Sequence, residues 1–359
     1  MRLNILIAPG DGIGAEVTSA AVDVLKTIAR RFGHELLLSE GLIGGAAIHK
    51  TGSPLPAETL EKAMKAGATL LGAVGAPEFD SLPPEKRPEK GLLGIRKALQ
   101  VYANLRPVKM WPSLIDSSPL KNEIVAGTDL LIVRELTGGL YYGQPRGIDG
   151  DRATNTMSYT RGEIERIARK AFELARGRRK RVTSVDKSNV LENSQLWRAV
   201  VSEVSREYPE VELDHLLVDN CAMQLVLNPR RFDVIVTENM FGDILSDEAA
   251  VLAGSIGMLP SASLGDGKGF YEPVHGSAPD IAGKNQANPF GAIGSAAAML
   301  DYSFGLAKEA RAIEDAMGRV LASGIATADL HPARAATTSE VAKAVCDAVE
   351  SAQGTGAAV

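Results

Sequence analysis

Leu3-Asn4-Ile5-Leu6-Ile7-Ala8-Pro9-Gly10-Asp11-Gly12-Ile13-Gly14 reads as an apolar strand over residues 3–8 that runs into a glycine-rich turn. Residues 15–32 then place apolar side chains at helical spacing, and Gly33 is a suitable stop. A buried strand, a tight turn and a helix are the opening of an α/β chain. The glycines fall as G-x-G-x-G, one residue short of the dinucleotide fingerprint G-x-G-x-x-G, so the turn does not specify a Rossmann fold.

The 359 residues exceed what one hydrophobic core organises, and two lobes are expected. A hydrophobic fraction of 45% and a charged fraction of 23% are those of a soluble globular protein. A net charge of -5 gives no electrostatic basis for binding nucleic acid. The basic run Arg176-Gly177-Arg178-Arg179-Lys180-Arg181 falls where a helix gives way to a strand and reads as solvated cations complementing the helix dipole. The first apolar run stops at Pro9, too short for a signal segment or a membrane span. Cys221 and Cys346 form neither a metal-type spacing nor a disulfide framework, as in a reducing compartment, so a cytoplasmic location is expected.

The alternation continues along the chain. Strands are expected at 35–38, 68–74, 104–108, 130–135, 182–186, 212–218 and 232–236, and helices at 57–65, 92–100, 161–176, 194–208 and 222–227. Residues 75–90, rich in proline and charge, read as a long surface loop of the functional kind, and 353–359 as a frayed tail. Arg106 and Arg134 are expected near strand ends and Arg96 near a helix end. Guanidinium forks that converge suit a polycarboxylate ligand.

In Thr237-Glu238-Asn239-Met240-Phe241-Gly242-Asp243-Ile244-Leu245-Ser246-Asp247-Glu248, two carboxylates sit four apart and share a helix face. Alone, such a pair is an ordinary acidic surface. Paired like charges with no Cys or His beside them also suit a hard cation, magnesium or manganese. Asp186-Lys187-Ser188-Asn189 and Val218-Asp219-Asn220 stand at comparable strand-to-helix junctions, where parallel sheets bind ligands. Glu272-Pro273-Val274-His275-Gly276-Ser277-Ala278-Pro279-Asp280-Ile281-Ala282-Gly283 reads as a further polar loop.

These stretches, with Gly91-Leu92-Leu93, Asn104-Leu105-Arg106-Pro107 and Arg134-Glu135-Leu136-Thr137-Gly138-Gly139-Leu140-Tyr141, together resemble the β-decarboxylating dehydrogenases of the isocitrate and isopropylmalate family over nearly the whole chain. The resemblance implies a two-domain α/β fold with a large twisted mixed sheet that is not a Rossmann fold. It implies an NAD-binding domain of residues 1–101 and 255–359, and a domain of residues 102–254 for substrate, metal and dimerisation. It also implies oxidation of a 2-hydroxy acid followed by loss of its β-carboxylate. Lys187 would take the hydroxyl proton and Tyr141 would protonate C3. Arg96, Arg106 and Arg134, with Asp219 and Val190, would hold the substrate. Asp219, Asp243 and Asp247 would hold Mg2+ or Mn2+, with Lys187 and Asp219 reaching the site from the second subunit of a homodimer. NAD would contact Ile13, Gly75, Glu272, His275, Gly276, Ser277, Ala278, Asp280, Ile281 and Asn288.

Given that resemblance, two choices turn on residue chemistry. Asp280 accepts ribose hydroxyls and repels a 2'-phosphate, which favours NAD over NADP. Leu92 and Leu93, one helical turn before Arg96, suit an isopropyl group, so the expected substrate is 3-isopropylmalate; D-malate, tartrate, homoisocitrate and longer alkylmalates are the alternatives. Ala15, Ser188 and Asn285-Gln286 depart from the usual pattern, and of these only Asn285-Gln286 bears on cofactor contacts.

Overall fold

The structure, a computed structural model, describes residues 1–351, so the tail expected to fray lies outside the described residues. The strands are β1 (Arg2–Gly10), β2 (Glu35–Glu40), β3 (Ala68–Ala73), β4 (Ala103–Lys109), β5 (Asp129–Glu135), β6 (Gly147–Asp149), β7 (Arg152–Thr154), β8 (Arg181–Asp186), β9 (Glu212–Leu217), β10 (Val234–Thr237), β11 (Pro260–Leu264) and β12 (Gly269–Pro273). The fold is α/β with a large mixed sheet. The chain divides into two compact units. One comprises Met1–Gln100, Ser255–Ala262 and the described residues from Gly267 onward; the other comprises Val101–Gly254 and Ser263–Asp266.

In the first unit the strand order is β2-β1-β3-β12, with parallel pairing throughout. Helix Phe290–Phe304 is apolar almost all round because it packs on β3 and β12 and against the helices Gly14–Phe32 and Ala307–Ala322. The turn after β1 needs glycine. Gly12 has φ +55°, and a Cβ there would stand 1.9 Å from the Ser277 carbonyl oxygen.

In the second unit the order is β4-β5-β10-β8-β9. Strands β5, β10, β8 and β9 run parallel, while β4 runs antiparallel to β5 with Asn104 opposite Arg134. The carboxyl ends of four strands therefore lie along one edge, and it is there that Arg134, Lys187, Asp219 and Asp243 emerge. Helix Arg161–Arg176 starts with a full capping box between Thr160 and Glu163. Helix Asn239–Leu252 starts at Glu238, whose side chain accepts from the backbone N–H groups of Met240 and Phe241.

Several element boundaries differ from expectation. The helix expected at 92–100 is Pro88–Ala98, since proline at the first helical position starts the turn and Gln100 leaves it at φ 54°. Glu272 and Pro273 belong to the buried strand β12 and not to a loop, because Phe270 and Tyr271 carry the run into the core. Helix Val218–Leu227 begins four residues earlier than expected, which puts Asp219 in its first turn. Arg106 sits in the middle of β4. Helix Gly44–Thr51 is also present, in a stretch to which no element is assigned from the sequence. The cations of 176–181 are held by ion pairs: Arg176 with Glu210, Arg178 with Asp129 and Asp233, and Arg181 with Glu212.

Candidate functional site

At the carboxyl edge of the second unit, two arginines meet two carboxylates and a phenol. Arg134, buried, donates from Nη1 to Asp243 Oδ1 at 2.5 Å. Arg106 donates from Nη1 to Asp247 Oδ1 at 2.9 Å and to Ser246 Oγ at 2.7 Å, and its Nη2 stands 3.6 Å from Asp243 Oδ1. The Tyr141 hydroxyl donates to Asp243 Oδ2 at 3.0 Å. The positive groups that let Asp243 and Asp247 share a helix face are thus two guanidinium groups of the same chain. Asn104 aims Arg106 by accepting from its Nε at 2.9 Å. The close approach of Arg134 to the helix requires Gly242, where a Cβ would lie 2.6 Å from Arg134 Cγ.

Burial of the Tyr141 hydroxyl, and next the Asp243 charge, raise its pKa above the ordinary phenol value. The phenol is protonated at neutral pH and is a proton donor in reach of the cluster. Lys187 and Asp219 form a separate pair, Nζ to Oδ1 at 2.7 Å, and the Lys187 hydrogen bond holds the Asp219 carboxyl below the usual range. Val190, in the turn that follows, is exposed. Among the described residues no three His, Cys, Asp or Glu side chains are gathered closely enough to hold a metal. Asp219 does not join Asp243 and Asp247 within one chain. The donor set itself, carboxylate oxygens without thiolate or imidazole, fits a hard divalent cation.

The first unit carries the remaining expected residues. Arg96 is ion-paired through Nη2 with Glu272, and its buried Nε has no hydrogen-bond partner. Leu92 is half-buried and Leu93 exposed on the same helix. The turn after β1 is fixed by Ile13 N–H donating to the Ser277 carbonyl at 2.8 Å. His275 is buried, its Nδ1 2.9 Å from the Gly276 carbonyl oxygen, and its Nε2 has no partner. Burial lowers the His275 pKa, leaving a neutral imidazole with a free ring nitrogen, which fits a nucleotide. A cleft of about 260 Å³ opens between Gly12, Ala46, Gly75, Glu78 and Pro279. Gly276 and Asp280 are exposed, and Ala278 and Ile281 half-buried. Asn288 is engaged internally, donating to Asp329 and accepting from Phe290 N–H. A larger groove of about 510 Å³ runs between helices Gly14–Phe32 and Thr338–Ser351. It is lined by none of the expected site residues; Arg30 pairs with Glu350 across it, while Lys26 with Asp23 and Lys343 with Asp347 pair along its two helices.

Asp11 carries no periodic signal in the sequence, yet its buried carboxylate accepts backbone N–H groups from Gly45, Ala46 and Gly75. It ties the turn to the start of helix Gly44–Thr51 and to the loop after β3 at once. Asp11→Ala is expected to cost about 3 kcal/mol, because three backbone donors, one buried and two half-buried, lose a charged acceptor. Thermal melting checks this, and an unchanged midpoint would contradict the anchoring role. Asn104 was legible as lying two residues from Arg106, on the same strand face. Glu238 was not, because glutamate is an uncommon N-cap.

Two arginines, two acids and a phenol meet beside a mixed sheet, and the guanidinium forks complement small polycarboxylates. Residues 4–345 match the profile described as isocitrate/isopropylmalate dehydrogenase, and the chain belongs to this family. It is 59% identical over 354 residues to the 3-isopropylmalate dehydrogenase of Halalkalibacterium halodurans, covering 97% of each chain. It is 60% identical over 356 residues to that of Shouchella clausii, covering 97% of this chain and 98% of the relative. The crystal structure of isocitrate dehydrogenase from Methylococcus capsulatus aligns with a TM-score of 0.86 at 37% identity, covering 97% of this chain and 99% of that one.

Proposed function

We propose that this chain catalyses the NAD-dependent oxidative decarboxylation of (2R,3S)-3-isopropylmalate to 4-methyl-2-oxopentanoate and CO2, a step of leucine biosynthesis in the cytoplasm. The observation that carries the reading is the meeting of Arg106, Arg134, Asp243, Asp247 and Tyr141 at one strand edge, in a chain about 60% identical to 3-isopropylmalate dehydrogenases. The guanidinium N–H groups that now bind Asp243 and Asp247 would be taken over by the malate carboxylates, with Arg96 as a third fork. Asp243 and Asp247, with Asp219 of the partner subunit, would hold a magnesium or manganese ion, which when bound polarises the C2 oxygen and stabilises charge there. Lys187 would accept the C2 hydroxyl proton, and NAD, when bound, would supply the acceptor for the C2 hydride. After the β-carboxylate leaves as CO2, Tyr141 delivers a proton to C3. Leu92, Leu93 and Val190 would face the isopropyl group.

NAD would lie along Ile13, Gly75, Glu272, His275 to Ala278, Asp280, Ile281 and Asn288. The unpartnered His275 Nε2 supports this. With Asp280 exposed beside this loop, kcat/KM with NAD is expected to exceed that with NADP at least about 100-fold. Asp280→Lys should narrow the ratio. An NADP preference in the unaltered protein would contradict the assignment.

The homodimer is supported by two exposed surfaces of the second unit. Helices Val218–Leu227 and Asn239–Leu252 pack together and leave Met223, Leu227, Ile244 and Val251 each more than half exposed. An apolar face of that kind is suited to burial against a second copy. The hairpin of β6 and β7 is exposed up to the half-buried Thr154, Ile148 included, and a two-stranded hairpin is marginal alone. The test of function is NADH formation across a panel of 3-substituted malates with and without Mg2+. Turnover of D-malate or isocitrate but not 3-isopropylmalate would overturn the substrate assignment.

A further inference from the structure

We infer that Asn239 is a positioning residue that sets the substrate arginine and the proton-donor loop in one frame; the inference rests on the function proposed above. Asn239 is buried at the first turn of helix Asn239–Leu252. Its Oδ1 accepts from Arg134 Nε at 3.1 Å and from Arg134 Nη2 at 2.7 Å, which leaves Nη1 aimed at Asp243. Its Nδ2 donates to the Gly138 carbonyl at 3.1 Å, three residues before Tyr141. One planar amide therefore grips two elements with opposite polarity. An acceptor holds the guanidinium that would bind a malate carboxylate, and a donor holds the loop whose phenol would protonate C3.

The frame behind the amide is rigid. The Tyr159 hydroxyl accepts from Asn239 N–H at 3.0 Å and stands 3.2 Å from Glu238 Oε2, to which it donates. Glu238 fixes the helix start through Phe241 N–H at 2.7 Å and Met240 N–H at 3.1 Å. On the other side of the loop, buried Glu135 accepts from Gly138 N–H at 2.7 Å. Gly138 is thus held by its N–H from Glu135 and by its carbonyl from Asn239. Neither Glu135 nor Glu238 touches the reacting groups, and Asn239 is the member of the network that contacts both Arg134 and the Tyr141 loop. A loss of about 1 Å of registration is enough to slow a reaction roughly 100-fold.

The two halves of the amide separate by substitution. Asn239→Asp keeps the acceptor for Arg134 and removes the donor to Gly138. Asn239→Leu removes both at similar volume. The readouts are steady-state kcat and KM with 3-isopropylmalate, calorimetric Kd of 3-isopropylmalate with Mg2+ and no nicotinamide cofactor, and melting temperature. For Asn239→Asp, Kd within about 3-fold of the unaltered protein and kcat lowered at least about 10-fold are expected; for Asn239→Leu, Kd raised at least about 10-fold as well. A merely structural role would lower melting temperature in both while leaving kcat and Kd per folded molecule unchanged, and that result would overturn the inference. So would equal effects of the two substitutions on Kd. Should Asn239→Leu fail to fold, the kcat and Kd of Asn239→Asp decide alone. If the unaltered protein itself does not turn over 3-isopropylmalate, the proposed function fails and not the positioning role in particular.

Discussion

Asp243→Asn is expected to reduce metal-dependent turnover of 3-isopropylmalate by roughly 100- to 1000-fold or more while the protein stays folded. Asp243 is where three groups converge, since it accepts from Arg134 and Tyr141 and stands 3.6 Å from Arg106. Asparagine keeps the shape and one accepting oxygen, so buried Arg134 retains a partner and the helix is not disturbed. What is lost is the charge, on which affinity for a divalent cation depends. Turnover, Mn2+ binding by calorimetry, and circular dichroism separate the two effects. Undiminished turnover would return the Asp243 and Asp247 pair to an acidic face neutralised by arginines.

Lys187→Met should be comparably damaging for a different reason. Removing a general base costs roughly 100- to 10,000-fold, and the loss falls on kcat with little change in KM. Lys187 already bonds to Asp219 at 2.7 Å, so the substitution also frees a carboxylate at an exposed site, where the structural penalty is small. Lys187→Arg is the sharper variant. Guanidinium preserves the charge and the pairing to Asp219 but does not give up a proton in proteins, so arginine should be nearly as inactive as methionine. Substantial activity in Lys187→Arg would mean that Lys187 contributes charge and not base catalysis.

The elements that were legible in the sequence are those where local pattern and tertiary packing agree. Helix Arg161–Arg176 has both its capping box and its apolar stripe, and helix Ala57–Lys65 lies between a proline and a strand. Helix Gly44–Thr51 was hidden because its start is stabilised from a distance, by Asp11 accepting from Gly45 and Ala46, and not by its own residues. Glu272 was misread as loop for a similar reason: its pairing with Arg96, 176 positions away, lets a carboxylate sit in a buried strand. In the site, the acids and arginines were recognisable by type and spacing, and Tyr141 only through the family resemblance. Their supports were not, because a buried asparagine such as Asn239 has no periodicity and acquires meaning only from what packs around it. The arginine neutralisation of Asp243 and Asp247 was equally invisible, being a contact between β4, β5 and the helix after β10.

The central claim of the proposed mechanism is that each active site joins Asp243 of one protomer to Lys187 of the other. The chain holds these residues in two separate clusters, Arg134–Asp243–Tyr141 and Lys187–Asp219. Coexpression of Lys187→Met and Asp243→Asn chains carrying different tags tests it directly. Each altered homodimer should be inactive. A mixed dimer has one site with neither change and one with both, so a randomly assembled mixture is expected to regain about a quarter of unaltered activity, and purified mixed dimers about half. If each site is built within one chain, every site in the mixture carries one of the two defects, and activity no higher than that of the separate variants would contradict the account.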